Sequence, residues 1–152
     1  MRSLGRVTRF VAGAVGPPGR RTFYLEVDGE WFLVEKQQVA ALAARGLDLA
    51  RQLGVPERDP GPPLGEPGEP AFRVVEIGIG VEDGEAVIVL SPDGSSGEEP
   101  VAFTVTGDQL EAMARRALAS VAAGRPACRF CGLPIDPGGH ACPASNGDLR
   151  HR

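Results

Sequence analysis

Three cysteines and two histidines are the soft metal donors of this 152-residue chain, and four of them fall within residues 128–142: Cys128, Cys131, His140 and Cys142. Cys128-x-x-Cys131-Gly132 is the spacing at which two thiolates reach one ion from a tight turn while the glycine accepts a positive φ. His140-x-Cys142 sets two further donors on one side of an extended segment. Four donors of the Cys3His type suit tetrahedral Zn2+, and filling all four positions leaves no room for a water ligand, so a structural ion is expected. A tail so poor in apolar residues buries too little surface to fold unaided, and the metal would supply that stability. His151 is the alternative fourth ligand, but His140 closes a shorter loop at lower entropy cost. Free thiols in a disordered tail are the plainer reading. Thiol–disulfide exchange through Cys128 and Cys131 is a further rival, without the surrounding βαβ pattern that it calls for. A zinc deaminase is set aside, because no H-x-E partner lies upstream.

Outside the tail the chemistry is thinner. Lys36 is the single lysine and stands beside Glu35, Gln37 and Gln38 at a strand-to-helix junction. These four form a candidate polar binding cluster, whose plainer reading is a solvated helix start. Gly78-Ile79-Gly80 lacks the following glycine and helix of a dinucleotide site, and Asp93–Gly97 lacks the lysine of a P-loop. The acidic residues are scattered through hairpins, and no general acid and base stand out as a pair. A small enzyme or enzyme accessory using polar residues near Lys36 and Glu76 remains the alternative to a binding protein.

Net charge is -4, with the acids and bases interspersed apart from Arg2, Arg6, Arg9, Arg20 and Arg21. That pattern argues against nucleic acid as a partner, for which only Arg125, Arg129, Arg150, His151 and Arg152 around the zinc module speak. Apolar runs stay short of signal-peptide or transmembrane length, because arginines and glycines interrupt them, so no membrane contact and a cytoplasmic location are expected. In a reducing cytosol an odd number of cysteines favours metal over disulfides.

Two runs of similar order must position these residues. Alternation predicts strands over Val7–Val11, Thr22–Val27 and Trp31–Glu35, with Asp28-Gly29 as a hairpin turn. Helical spacing of Val39, Leu42, Ala43, Leu47, Ala50 and Leu53 follows over Gln37–Leu53, weakened by about 1 kcal/mol at Gly46. The stretch 55–70, rich in Pro and Gly, reads as a linker or mobile surface loop. Strands are then predicted at Phe72–Val81, Glu85–Leu90 and Val101–Thr106, with Asp83-Gly84 as a turn, before a helix over Asp108–Ala123 capped by Thr106 or Asp108. Trp31 and Phe32 are expected in the core.

At an offset of 71 positions Gln38 aligns with Gln109, Leu42 with Met113 and Arg45 with Arg116, which suggests an internal duplication. The expected fold is therefore α+β: residues 1–124 as two βββα halves, 6–54 and 71–123, with antiparallel sheet and covering helices, followed by a small zinc-binding module at 125–152.

Phe10-Val11-Ala12-Gly13, Gly19-x-Arg21-Thr22-Phe23-Tyr24-Leu25, Val34-Glu35-Lys36-Gln37-Gln38-Val39 and the Cys128-x-x-Cys131-Gly132-Leu133-Pro134 … His140-x-Cys142-Pro143 tail together resemble an actinobacterial family of conserved hypothetical proteins, a domain of unknown function sometimes labelled a repeat protein. The resemblance implies a cytoplasmic actinobacterial protein and transfers no catalytic residue. The leading expectation is a non-enzymatic binding or adaptor protein, with a structural zinc and a protein partner.

Overall fold

The computed structural model describes residues 1–56 and 61–123, and farther on only the backbone pairing of His140–Ala141 (β9) with Arg150–His151 (β10), which sets His151 opposite His140. Eight strands and two helices make up the body: β1 Arg2–Arg6, β2 Phe10–Val15, β3 Thr22–Val27, β4 Glu30–Val34, α1 Lys36–Gln52, β5 Pro70–Arg73, β6 Glu76–Glu82, β7 Glu85–Ser91, β8 Val101–Val105 and α2 Gly107–Ala123. Each half thus runs through four strands and a helix, one strand more than the sequence suggested.

The strands form two four-stranded sheets, β2-β3-β4-β5 and β1-β8-β7-β6. Within each, three consecutive strands make an antiparallel meander, and the fourth comes from the other half and pairs in parallel: β5 with β4, β1 with β8. The expected antiparallel sheet is corrected to two mixed ones. The reason is local. The chain leaves β1 for β2 across only Val7–Arg9, and β5 for β6 across Val74 and Val75, so at each joint it bends out of one sheet into the other.

These joints also explain the misread strands. Phe72–Val81 looks continuous in sequence but is broken at Val74 and Val75, while Val7–Val11 straddles the first joint. Arg2–Arg6 carries no alternating apolar pattern. It is an exposed edge strand with a register shift between Ser3 and Arg6, where Gly5 takes φ 65°. Both short hairpins match expectation: Asp28 and Gly29 have φ 45° and 85°, and Asp83 and Gly84 have φ 51° and 78°, the positive pair that matches strand twist in a two-residue loop.

One hydrophobic core lies between the sheets and the helices. Phe23, Leu25 and Val27 of β3 face it in alternation, as do Ala86, Ile88 and Leu90 of β7 and Val101, Phe103 and Val105 of β8. Phe10 and Phe103, one from each sheet, meet edge to face at 5.1 Å between centroids. The helices pack on each other, and each touches the other half's meander, α1 on β6 and α2 on β2. Gly46 sits at the crossing, where a Cβ would lie 3.3 Å from Leu110 Cδ1. Its cost in helix propensity is therefore offset by close helix approach.

Two glutamines lock the joints. The Gln38 side-chain oxygen accepts from Glu35 N at 2.8 Å, and its Nε2 donates to Val74 O at 3.1 Å. Gln109 repeats this, accepting from Thr106 N at 2.8 Å and donating to Val7 O at 2.8 Å, while Thr106 Oγ1 accepts from Gln109 N at 3.2 Å. Val7 N donates to Thr104 O and Val74 N to Leu33 O, at 3.0 and 2.8 Å.

The Pro- and Gly-rich stretch also differs from expectation. Its described part does not hang free: Gly61 N donates to Ala112 O at 3.1 Å, Gly65 N to Glu26 Oε1 at 2.9 Å, and Leu64 lies over Gly13. Trp31 is buried as expected, though beneath this segment on the outer face of its sheet and not in the central core.

Candidate functional site

The candidate polar cluster is divided by the fold. Helix α1 starts at Lys36, so consecutive side chains fan out around its first turn. Glu35 and Lys36 line an open cleft of about 400 Å³ with Arg21 and Arg73, and Glu35 is tied to Arg73 by an exposed ion pair of 2.7 Å. Gln37 is exposed. Gln38 turns the other way, into the joint and toward a second groove. Glu76 lines that second groove, so Lys36 and Glu76 belong to different clefts. Cys128, Cys131 and Cys142 lie outside the described residues, as does the side chain of His140. Among the described residues no group of three or more His, Cys, Asp or Glu is poised to hold a metal.

The second groove, about 360 Å³, runs between α1 and β6 and is lined by Gln38, Ala41, Leu42, Arg45, Val75 and Ile77 among others. Its surface is mostly apolar, and Val75 at its edge is 59% exposed. With Ala41, Leu42, Ile77 and Ile79 it gives the groove an apolar lining, the kind of grouped surface that suits binding.

This groove has a counterpart in the other half, between α2 and β2, lined by Thr8, Arg9, Phe10, Gln109 and Ala112. Gln109 stands there where Gln38 stands here, Ala112 where Ala41 stands, and the Thr8–Phe10 joint where Val75–Ile77 stands. The counterpart, about 350 Å³, is bordered by the Gly- and Pro-rich segment. Pro62 forms one wall, Gly61 N donates to Ala112 O, and Arg116 Nε donates to Gly61 O at 2.8 Å. Glycine is needed at 61, since a Cβ would sit 2.9 Å from Ala112 Cβ. Leu64 then lies over Gly13, its Cγ 3.0 Å from where a Cβ would be.

A buried ion pair ties this segment down. Glu26 is 6% exposed on the outer face of β3, and Arg9 Nε donates to its Oε2 at 2.5 Å while Nη2 donates to Oε1 at 3.2 Å. Gly65 N adds a third bond to the carboxylate, and Arg9 Nη2 also donates to Pro63 O at 2.7 Å. The Arg9 guanidinium holds the Glu26 carboxyl below the usual range; burial opposes it and the Gly65 amide assists.

The open groove was missed in the sequence because its walls, an alanine-rich helix face and a strand start, look like ordinary core. The pairing of Arg45 with Arg116 was the available signal, and only the structure shows what Arg116 does.

The fold and its two grooves define an α+β protein of two mixed sheets. A family described as "Protein of unknown function (DUF3090)" matches residues 3–142, and the chain belongs to that family. Comparison with curated proteins and with solved structures gave no match. Among the described residues no helix is long and apolar enough to cross a membrane.

The Glu26 environment makes a pH-dependent prediction. A carboxyl whose folded pKa is depressed adds stability above its unfolded value, about 4.3, and that stability is lost as pH falls through the lower folded value. Glu26→Gln should cost about 2 kcal/mol at pH 7, and the difference from wild type should shrink in urea titrations carried into acid. A cost unchanged across that range would show that the pair contributes nothing through charge.

Proposed function

We propose that this protein is a non-enzymatic binding protein that holds an extended, Gly- and Pro-containing polypeptide segment in the groove between α1 and β6. The observation that carries this reading is the counterpart groove, where the same wall residue types grip Gly61 through one backbone bond and one arginine. The open groove offers the same acceptor, the Ala41 carbonyl, and the same donor, Arg45. A protein segment is the partner class that such walls recognise, since they offer backbone hydrogen bonds and apolar contact. The similar order of the halves and the matching roles of Gln38 and Gln109 support a duplicated origin. Lys36 and Glu76 line different clefts, which disfavours the enzyme alternative.

The C-terminal tail would carry a structural Zn2+ on Cys128, Cys131, His140 and Cys142, supported by the donor types and their spacing. Thiolate ligands suit a reducing, cytoplasmic setting. Nucleic-acid binding through this module is the weaker reading, resting on the few arginines of the tail.

Two measurements test these statements. Elemental analysis of protein purified under reducing conditions should find one zinc per chain, lost in Cys131→Ser and reduced in His140→Ala; wild type free of metal would refute the zinc site. A fluorescent peptide containing Gly-Pro-Pro-Leu, titrated into the 152-residue chain, should bind saturably, with affinity falling at least about tenfold in Ala41→Trp, a loss of about 1.4 kcal/mol. Equal binding by the two proteins would end the groove reading.

A further inference from the structure

We propose that the open cleft at the start of α1 binds a small phosphomonoester, held by Arg21, Lys36 and Arg73. This cleft shares no lining residue with the α1/β6 groove, so the inference does not depend on the groove reading.

The sheet brings the three cations together. Arg21 directly precedes β3, Lys36 is the first residue of α1 just beyond β4, and Arg73 ends β5. Phe23 pairs antiparallel with Val34, and Leu33 lies beside Arg73 in parallel register, so the start of β3 and the ends of β4 and β5 meet at one end of the sheet. The cleft there, about 400 Å³, is of the size that takes a small molecule.

The chain does not balance the charge it places in this cleft. Glu35 answers Arg73 at 2.7 Å. The Lys36 ammonium has no ion-pair or hydrogen-bond partner among the described residues. Arg21 makes one long bond, from Nη1 to Ser120 O at 3.3 Å, and its Nε is buried without a hydrogen-bond partner among the described residues. A buried N–H without an acceptor is costly. Arg21 is therefore weakly held where it stands, and turning its Nε–Nη2 edge toward an anion in the cleft would give that donor its acceptor.

Charge and shape select the ligand class. Three cations against one carboxylate leave a surplus of two positive charges, which matches the near-dianion that a phosphomonoester is at neutral pH. A carboxylate brings one charge and two oxygens in a plane. A phosphate brings three terminal oxygens, one for each cation, with guanidinium forks suited to bidentate contact and the ammonium acting as a point charge. The phosphate group alone leaves much of the cleft unfilled, and half-buried Leu33 and the Thr22 hydroxyl offer an apolar and a polar surface to the ester group.

Isothermal titration of the 152-residue chain with phenyl phosphate, at about pH 7.5, tests this. Binding should saturate and should weaken at least about tenfold in Lys36→Gln, where an exposed side chain without a partner is changed, and in Arg21→Gln. In Arg20→Gln, an exposed neighbouring cation outside the lining, affinity should stay within about twofold of wild type. Benzoate, with the same ring and a single charge, should bind at least about tenfold more weakly than phenyl phosphate. Absence of saturable binding, equal affinity for benzoate, or a loss in Arg20→Gln as large as in Lys36→Gln overturns the inference. So does a phosphoserine peptide that binds at least about tenfold tighter than phenyl phosphate, since the ligand would then be a phosphorylated protein.

Discussion

Reciprocal exchange of the leading strands is the constraint on which the rest of the structure depends. Strand β1 completes the sheet of the second half and β5 that of the first, so neither meander has a full sheet of its own. At each joint a valine amide donates to the sheet that the chain is leaving, and the valine carbonyl accepts from a glutamine that also caps a helix. Sheet pairing, helix start and chain bend are thereby coupled through one side chain. Loss of either glutamine frays a helix end and loosens the strand that enters the opposite sheet. Helix placement follows from the same exchange, because each helix touches the meander of the other half.

The exchange also creates the grooves. A helix lying beside the first strand of the other meander leaves a trough along the joint, and each trough needs a covering segment or remains apolar and open. Along β2, Gly61–Leu64 borders the trough, and the Arg9–Glu26 pair fixes that segment. Burying a carboxylate is costly unless its lone pairs are met; here two guanidinium bonds and one backbone amide meet them. In the second half the joint carries Glu76 and the adjoining strand Val89, so no such ion pair forms there.

Much of this was legible in sequence. Periodicity placed both helices to within a residue or two, and Asp-Gly pairs marked both short hairpins, because each depends on local signals. Strand β1 was not legible: Arg2–Arg6 is polar and exposed, and takes its partner from residues about a hundred positions away. Nor was the break at Val74 and Val75, where apolar residues continue through a bend that only sheet assignment reveals. Gln38 was noticed as a polar group beside Lys36, but its double role rests on a carbonyl far along the chain. For the groove, the aligned arginines were visible while their task was not. The proposed zinc donors Cys128, Cys131, His140 and Cys142 rest on residue type and spacing alone, and their side chains lie outside the described residues.

Coupled unfolding of the two halves is the most direct test of this account. Trp31 is the only tryptophan and reports on the sheet of β2 to β5, whereas far-ultraviolet ellipticity reports largely on the two helices. In urea the two signals should give one coincident transition, and Gln109→Ala, made at the joint of β1 and α2, should move both by the same amount, about 2 kcal/mol for two lost hydrogen bonds. A Trp31 transition that stays in place while the helical signal shifts would contradict it, showing that the halves fold independently despite their exchanged strands.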